Sequence, residues 1–178
     1  MRTKRERITT YWLCPAEPWR NRFAAIISKL AAQFDAPVFE PHVTLYVSAG
    51  AEEDASRVLD EVLKDGGPYR LSIRGLDYSE KFTKTLFVQF APDAELVGLS
   101  EELRRVSGSG DDYELNPHLS LIYKKMEQDE KRRLAASIEL PLSDVAFDTV
   151  KAVISPAQID AREDVEAWRI VAERKLPR

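Results

Sequence analysis

Apolar positions along this chain recur with two different periods, and the change from one to the other marks the elements. Phe23, Ile26, Ile27, Leu30 and Phe34 fall at i, i+3, i+4, i+7 and i+11, which lays one apolar stripe along a helix. Pro18 sits near its start, where a missing N–H costs nothing, and Pro37 follows its end. A second helix is predicted over about 52–64, from Glu52 to Lys64, with Val58, Leu59, Val62 and Leu63 inward and Gly66-Gly67 as its stop. A third carries Leu96, Leu99, Leu103 and Val106 and ends at Gly108, and a fourth carries Leu134, Ala135 and Ile138. Strand-like runs lie between them at 8–13, 42–47, 69–76, 85–90, 118–123, 145–154 and 167–172. In two of these the alternation is plain: Leu71 and Ile73 against Ser72 and Arg74, and Leu86, Val88 and Phe90 against Phe87 and Gln89.

The order of these elements occurs twice. The chain has two histidines, 76 residues apart. Shifting the second half back by that distance lays strand 85–90 on 9–14 and the fourth helix on the second, with the third near the start of the first. Such a period is too long for a solenoid and points to two related lobes about a pseudo-twofold axis. We expect a single bilobed α+β domain over 1–178, with the repeat over about 9–64 and 85–140. Two antiparallel sheets flanked by helices would place the paired histidine strands in a central cleft. The hairpin-like succession of 69–78 and 85–90 favours antiparallel pairing over a doubly wound sheet. No glycine-rich phosphate loop of the GxGxxG or GxxxxGK[ST] type is present in the sequence.

Composition narrows the class of partner. Of 178 residues 44% are hydrophobic and 31% charged, the balance of a soluble globular chain. The net charge is −4, whereas proteins that grip long nucleic acid carry a basic excess to neutralise phosphates. A small anionic ligand held by a few local donors fits this balance. The single Cys14 excludes an internal disulfide and any multi-cysteine metal site. No apolar stretch approaches the ~18 residues needed to span a bilayer, and the apolar run at 11–14 is too short for a signal peptide. We therefore expect a cytoplasmic monomer with no membrane partner.

Both histidines sit in the same local pattern, Pro41-His42-Val43-Thr44-Leu45 and Pro117-His118-Leu119-Ser120-Leu121. Side chains alternate across a strand, so each imidazole shares a face with the hydroxyl two residues on, while the aliphatics face the core. Histidine is available both neutral and protonated around neutrality. Two imidazoles flanking a phosphate suit in-line attack, one taking a proton from water and the other protonating the departing oxygen. Thr44 and Ser120 are placed to donate to non-bridging oxygens, where charge develops. This chemistry needs no metal and no cofactor.

Paired His-x-hydroxyl-aliphatic motifs in a chain of this size resemble the 2H phosphoesterase superfamily. Within it, YWLCPAEPW and FAAIISKLAAQFDAPVFEPHVTL are most similar to the small cyclic nucleotide phosphodiesterases of plants and yeast. The resemblance covers essentially the whole chain. It implies a 2H phosphoesterase-like fold, catalytic His42 and His118, and phosphate contacts from Thr44 and Ser120. It also implies that a 2′,3′-cyclic or 1″,2″-cyclic phosphate is opened to a monoester. The resemblance lets Trp12, beside the site, stack on a base or ribose, against a core role at even odds. It places a phosphate-contacting tyrosine at Tyr123, five residues past His118, although strict alternation points that residue away. Tyr46, four past His42, lies on the favourable face by alternation alone.

Lys81 and Lys84 fall in a loop at 79–84 read as a solvated turn, with closure over an anion as the lesser alternative. The charged run 127–133 reads as a solvated helix face. Three other functions are weighed. An RNA-end processor like the bacterial 2′–5′ RNA ligases shares the motif pair and would act on RNA 3′ ends. A non-catalytic nucleotide-binding module has no need of an acid–base pair. A metallohydrolase would require more ligands than two histidines at HxH or HxxxH spacing, which the sequence does not have.

Overall fold

The computed structural model describes residues 6–49, 54–108, 113–141 and 143–177. In chain order these form β1 (Arg7–Pro15), α1 (Trp19–Phe34), β2 (Val43–Ser48), α2 (Ala55–Val62), β3 (Tyr69–Tyr78) and β4 (Leu86–Phe90). There follow α3 (Ala94–Ser107), β5 (His118–Ile122), α4 (Gln128–Ser137), β6 (Asp144–Pro156), α5 (Arg162–Glu166) and β7 (Arg169–Lys175). The expected beginning of the second helix at Glu52 lies outside the described residues.

The helices end where local chemistry stops them. The Asp93 carboxylate accepts the Leu96 N–H at 2.8 Å and opens α3. Gly108 closes α3 at φ 69°, a left-handed conformation that costs glycine nothing. The short helix α5 is an element that the pattern missed. Asp164 accepts the N–H groups of Asp160 and Ala161 at 3.0 and 3.1 Å, which closes a helical turn. The final strand consequently begins at Arg169, two residues later than expected, and Trp168 lies in the turn before it.

The two expected sheets are joined into one antiparallel sheet of seven strands, in the order β1-β2-β5-β4-β3-β6-β7. The long strand β6 makes the first join. Its Asp144–Phe147 portion pairs with β3, and its later residues pair with β1 and β7. The second join is a single pair between the histidine strands, Val43 opposite Leu119.

The repeated order is present as β1-α1-β2-α2 and β4-α3-β5-α4. The offset is 76 in the histidine strands but 75 in the strands beside them. Trp12 pairs with Thr44, and it is Phe87, not Val88, that pairs with Ser120. The helices cross between the halves: α1 packs on β5 and α3 on β2. Their apolar stripes meet Leu13, Val43, Leu45, Leu119, Leu121 and Phe147 in one core, each of these fully buried.

The run 127–133 departs from the expected solvated face at one residue. Lys131 is 1% exposed. Its Nζ donates to Glu80 Oε1 at 2.7 Å and to the Ser79 carbonyl at 3.0 Å. A buried ammonium needs such partners, and these two tie α4 to the loop after β3. Among the described residues no helix is long and apolar enough to cross a membrane.

Phe147 is opposite both Pro15 and Tyr69, where the halves share β6, and its ring meets Phe90 edge-on at 5.6 Å. Phe147→Ala should cost about 3–5 kcal/mol in urea unfolding through lost burial and the cavity left behind. Val38→Ala, at a 63% exposed position, should stay within about 0.5 kcal/mol. Equal effects would show that the shared strand is not where the halves are held.

Candidate active site

The Val43–Leu119 pair determines what faces the cleft. Residues directly opposite in an antiparallel pair point to the same side of the sheet. Val43 and Leu119 both point into the core. Their neighbours therefore share the other side, with His42 across from Ser120 and Thr44 across from His118. These four residues, with Tyr123 and Trp12, line one cleft of about 240 Å³. The cleft also takes in Thr10, Thr83, Tyr113 and Trp168.

A bulge follows the hydroxyl in each histidine strand. Opposite β1 the register jumps from Thr44 to Tyr46, leaving Leu45 extra; opposite β4 it jumps from Ser120 to Ile122, leaving Leu121 extra. Each bulge reverses the alternation beyond it. Tyr46, expected on the cleft face, is turned fully into the core, and Val47 lines the cleft instead. In β5 the same reversal brings Tyr123 to the cleft, just past the strand end. The Leu45 carbonyl is satisfied from outside the sheet by the Ser100 hydroxyl of α3, at 2.6 Å.

The imidazoles are held alike by their backbones and unlike by their neighbours. His42 Nδ1 lies 2.7 Å from the Glu40 carbonyl, and His118 Nδ1 lies 2.7 Å from the Asn116 carbonyl. A carbonyl oxygen only accepts, so both Nδ1 atoms carry the proton and both Nε2 atoms hold the lone pair when the ring is neutral. His42 is sandwiched by aromatics. Trp12 stacks on it at 3.8 Å and 11°, and Trp168 meets it edge-on at 5.8 Å. Burial pushes its pKa down to about 4, against the pull of the Glu40 carbonyl, and His118 pushes the same way. His118 meets the edge of Phe87 at 5.4 Å. Its pKa is also lowered, first by burial and then by Lys84 and Lys81.

Trp12 thus lies in the cleft wall, with one ring face stacked on His42, and is 4% exposed. Tyr123 is buried and stacked on Phe39 at 4.0 Å. Burial raises its pKa, so it stands as a neutral O–H donor. The Ser120 hydroxyl donates to the Thr83 carbonyl at 2.7 Å, and must turn from it to reach a ligand.

That carbonyl belongs to the 79–84 loop, which is braced rather than loose. Ser79 Oγ donates to the Lys84 carbonyl, and Lys131 holds the Ser79 carbonyl. Lys84 stands over the Phe87 ring at 4.4 Å. Among the described residues no three His, Cys, Asp or Glu side chains gather as a metal-ligand set.

Several cleft residues escaped the sequence reading, Thr10 and Trp168 among them. Thr10 shares a strand face with Trp12, so alternation from Trp12 was the signal for it. Trp168 was read as part of a strand, and only the helix-closing Asp164 hinted at the turn that swings it into the cleft. The Trp168 indole N–H is buried without a partner, the only such side-chain polar group among the described residues.

The family described as "Cyclic phosphodiesterase-like protein" matches residues 8–176 of this chain. The cyclic phosphodiesterase of Arabidopsis thaliana is 24% identical over 169 residues, spanning 93% of each chain. Among solved structures, Thermus thermophilus TT0787 superposes with a TM-score of 0.61 at 16% identity, over 95% of this chain and 97% of that one. E. coli LigT in complex with 3′-AMP superposes with a TM-score of 0.55 at 13% identity, over 97% and 99%.

The buried His42 gives the fold a pH signature. Its pKa is below 6.5 in the folded chain and near 6.5 in the unfolded one. The stability that this neutral ring allows is complete above about pH 6.5 and is lost as pH falls toward about 4. His42→Gln should flatten that part of the curve of unfolding free energy against pH. An identical slope in both proteins between those limits would contradict the buried, neutral state.

Proposed function

This chain belongs to the family of cyclic phosphodiesterase-like proteins, and on that premise we propose that it hydrolyses small cyclic phosphates to phosphomonoesters by two-histidine acid–base catalysis. The substrate class is a 2′,3′-cyclic nucleotide or an ADP-ribose 1″,2″-cyclic phosphate. The observation that carries this reading is the matched pair of Nδ1–carbonyl bonds, which leaves an Nε2 on each imidazole for proton exchange in one cleft.

In the proposed reaction a water oxygen attacks phosphorus in line with the ribose oxygen that leaves. One Nε2 accepts the proton from water as the new P–O bond forms. The other, protonated, delivers its proton to the ribose oxygen as the old P–O bond breaks. Thr44, Ser120 and Tyr123 are the neutral donors for the non-bridging oxygens, and their hydrogen bonds strengthen as charge collects there. Trp12 holds the His42 ring, and Lys81 and Lys84 supply positive charge on the His118 side. The E. coli LigT fold relative binds 3′-AMP in its solved complex, which supports a small nucleotide as the ligand.

His42→Ala and His118→Ala should each lower turnover of a 2′,3′-cyclic mononucleotide by about 10²–10⁴-fold, and wild-type activity should survive EDTA. The pH profile of kcat/KM should be bell-shaped with its optimum below 6.5, because both free-enzyme imidazoles titrate below their ordinary value. The kcat optimum should lie higher, since a bound phosphodiester anion favours the imidazolium. An optimum of kcat/KM well above 7 would contradict the neutral pair.

Substrate size is decided by comparing the mononucleotide with an RNA oligomer ending in a 2′,3′-cyclic phosphate. A net charge of −4 predicts a weak salt dependence and no advantage for the oligomer. A preference of about tenfold or more for RNA, falling steeply with salt, would instead assign the protein to RNA-end processing.

A further inference from the structure

The carbonyls that fix the two imidazoles belong to Glu40 and Asn116, the residues two before each histidine, and both precede a proline. Proline confines the residue before it to extended backbone, which narrows the direction of its carbonyl without fixing it. Both side chains are anchored, by different chemistry. The Glu40 carboxylate is gripped by Lys151 Nζ of β6, 2.7 Å from Oε1 and 3.0 Å from Oε2. Lys151 is itself 8% exposed and takes a second carboxylate, Glu173 of β7, at 3.2 Å. It sits opposite Trp12 in the β1–β6 register, so the tether flanks the indole that stacks on His42.

In the other half Gln89 of β4 does the corresponding work without charge. Its Nε2 lies 2.9 Å from Asn116 Oδ1 and 2.9 Å from the Pro117 carbonyl. Gln89 is opposite His118 in the sheet and 75 residues after Cys14, a side chain that makes no such tether. The His42 half has placed the task one strand further away, on Lys151.

We propose that Lys151, through Glu40, and Gln89, through Asn116, are positioning residues that determine which ring nitrogen of His42 and His118 carries the proton. Neither touches the reacting phosphate. Each holds the peptide whose carbonyl accepts Nδ1–H, and so keeps Nε2 as the site of proton exchange. If that carbonyl turns away, the neutral ring is free to place its proton on Nε2. The imidazole then remains in place but presents a donor where the reaction needs a base.

The test reads the tautomer directly. The chain has two histidines, so long-range 1H–15N spectra of the imidazoles contain two patterns, assigned with His42→Gln. In wild-type protein at pH 7.5 both should show protonated Nδ1 and unprotonated Nε2. Lys151→Met should move His42 toward a mixture of tautomers and leave His118 unchanged. Gln89→Leu should do the reverse, which makes each variant the other's control. Lys151→Arg should restore the wild-type pattern. Glu40→Gln, which keeps the shape but weakens the ionic grip, should shift His42 in the same direction as Lys151→Met, and carries the test should that variant not fold.

On a 2′,3′-cyclic mononucleotide, the two tether-breaking variants should lose about 10–100-fold in kcat with KM within about twofold. This kinetic arm rests on the hydrolytic reading, whereas the spectra do not. Tautomers that respond in a protein without turnover would sustain the positioning role and overturn the hydrolytic reading. Unmoved His42 spectra in Lys151→Met and Glu40→Gln, or a wild-type His42 protonated on Nε2, would overturn the positioning role whatever the rates.

Discussion

One antiparallel pair, Val43 opposite Leu119, sets the geometry on which the rest of the site depends. It joins equivalent positions of the repeated element order, each one residue past its histidine. Slipping either strand by one residue would turn His42 and Thr44, or His118 and Ser120, into the core and bring aliphatics into the cleft. Two features make that slip costly. Val43 and Leu119 are fully buried aliphatics, and each histidine strand is covered by the helix of the opposite half. With only one pair between the strands, specificity comes from the packing around it and not from a ladder of hydrogen bonds.

Much of this was legible in the chain, for a definite reason. The repeated Pro-His-aliphatic-hydroxyl-aliphatic pattern obeys simple alternation over the stretch 42–44 and again over 118–120, so sequence alone brings the four polar residues to one face. Legibility ends at Leu45 and Leu121. Nothing distinguishes these leucines from other strand aliphatics, because a bulge is made by the partner strand having one residue fewer, together with an acceptor such as Leu45 O finding Ser100 on a distant helix. Tyr46 was therefore given the wrong face, and Tyr123 needed the family resemblance to be noticed at all. Lys131 illustrates the same limit. A lysine within a charged run looks solvated until the fold sets Ser79 and Glu80 against it.

The symmetry of the site stops at its immediate neighbours. His42 has Trp12 on its face and Trp168 at its edge, while His118 has Phe87 at its edge and feels Lys84 and Lys81. Position for position Trp12 and Phe87 are counterparts, since each pairs with the hydroxyl residue of its half. Trp168 has no counterpart, because the α5–β7 unit follows the repeat and is added to one half only. Repetition thus supplied two equivalent imidazoles, and the added segment together with the lysine loop made their surroundings differ. Such a difference biases which of two coupled rings holds a proton that they share.

Burial poses a further constraint on how such a pair works. Both imidazoles are pushed toward the neutral form, yet the proposed protonation of a leaving oxygen requires one of them charged. Desolvation and neighbouring positive charge favour neutrality, while an anion between the rings favours the imidazolium. A cyclic phosphodiester, the substrate class proposed above, is such an anion and would bring the compensating charge with it. A second proton is then opposed by the first, because each ring acts on the other. One proton for two imidazoles is therefore the state that a bound anion would select, and it is the state that the proposed acid–base hydrolysis requires.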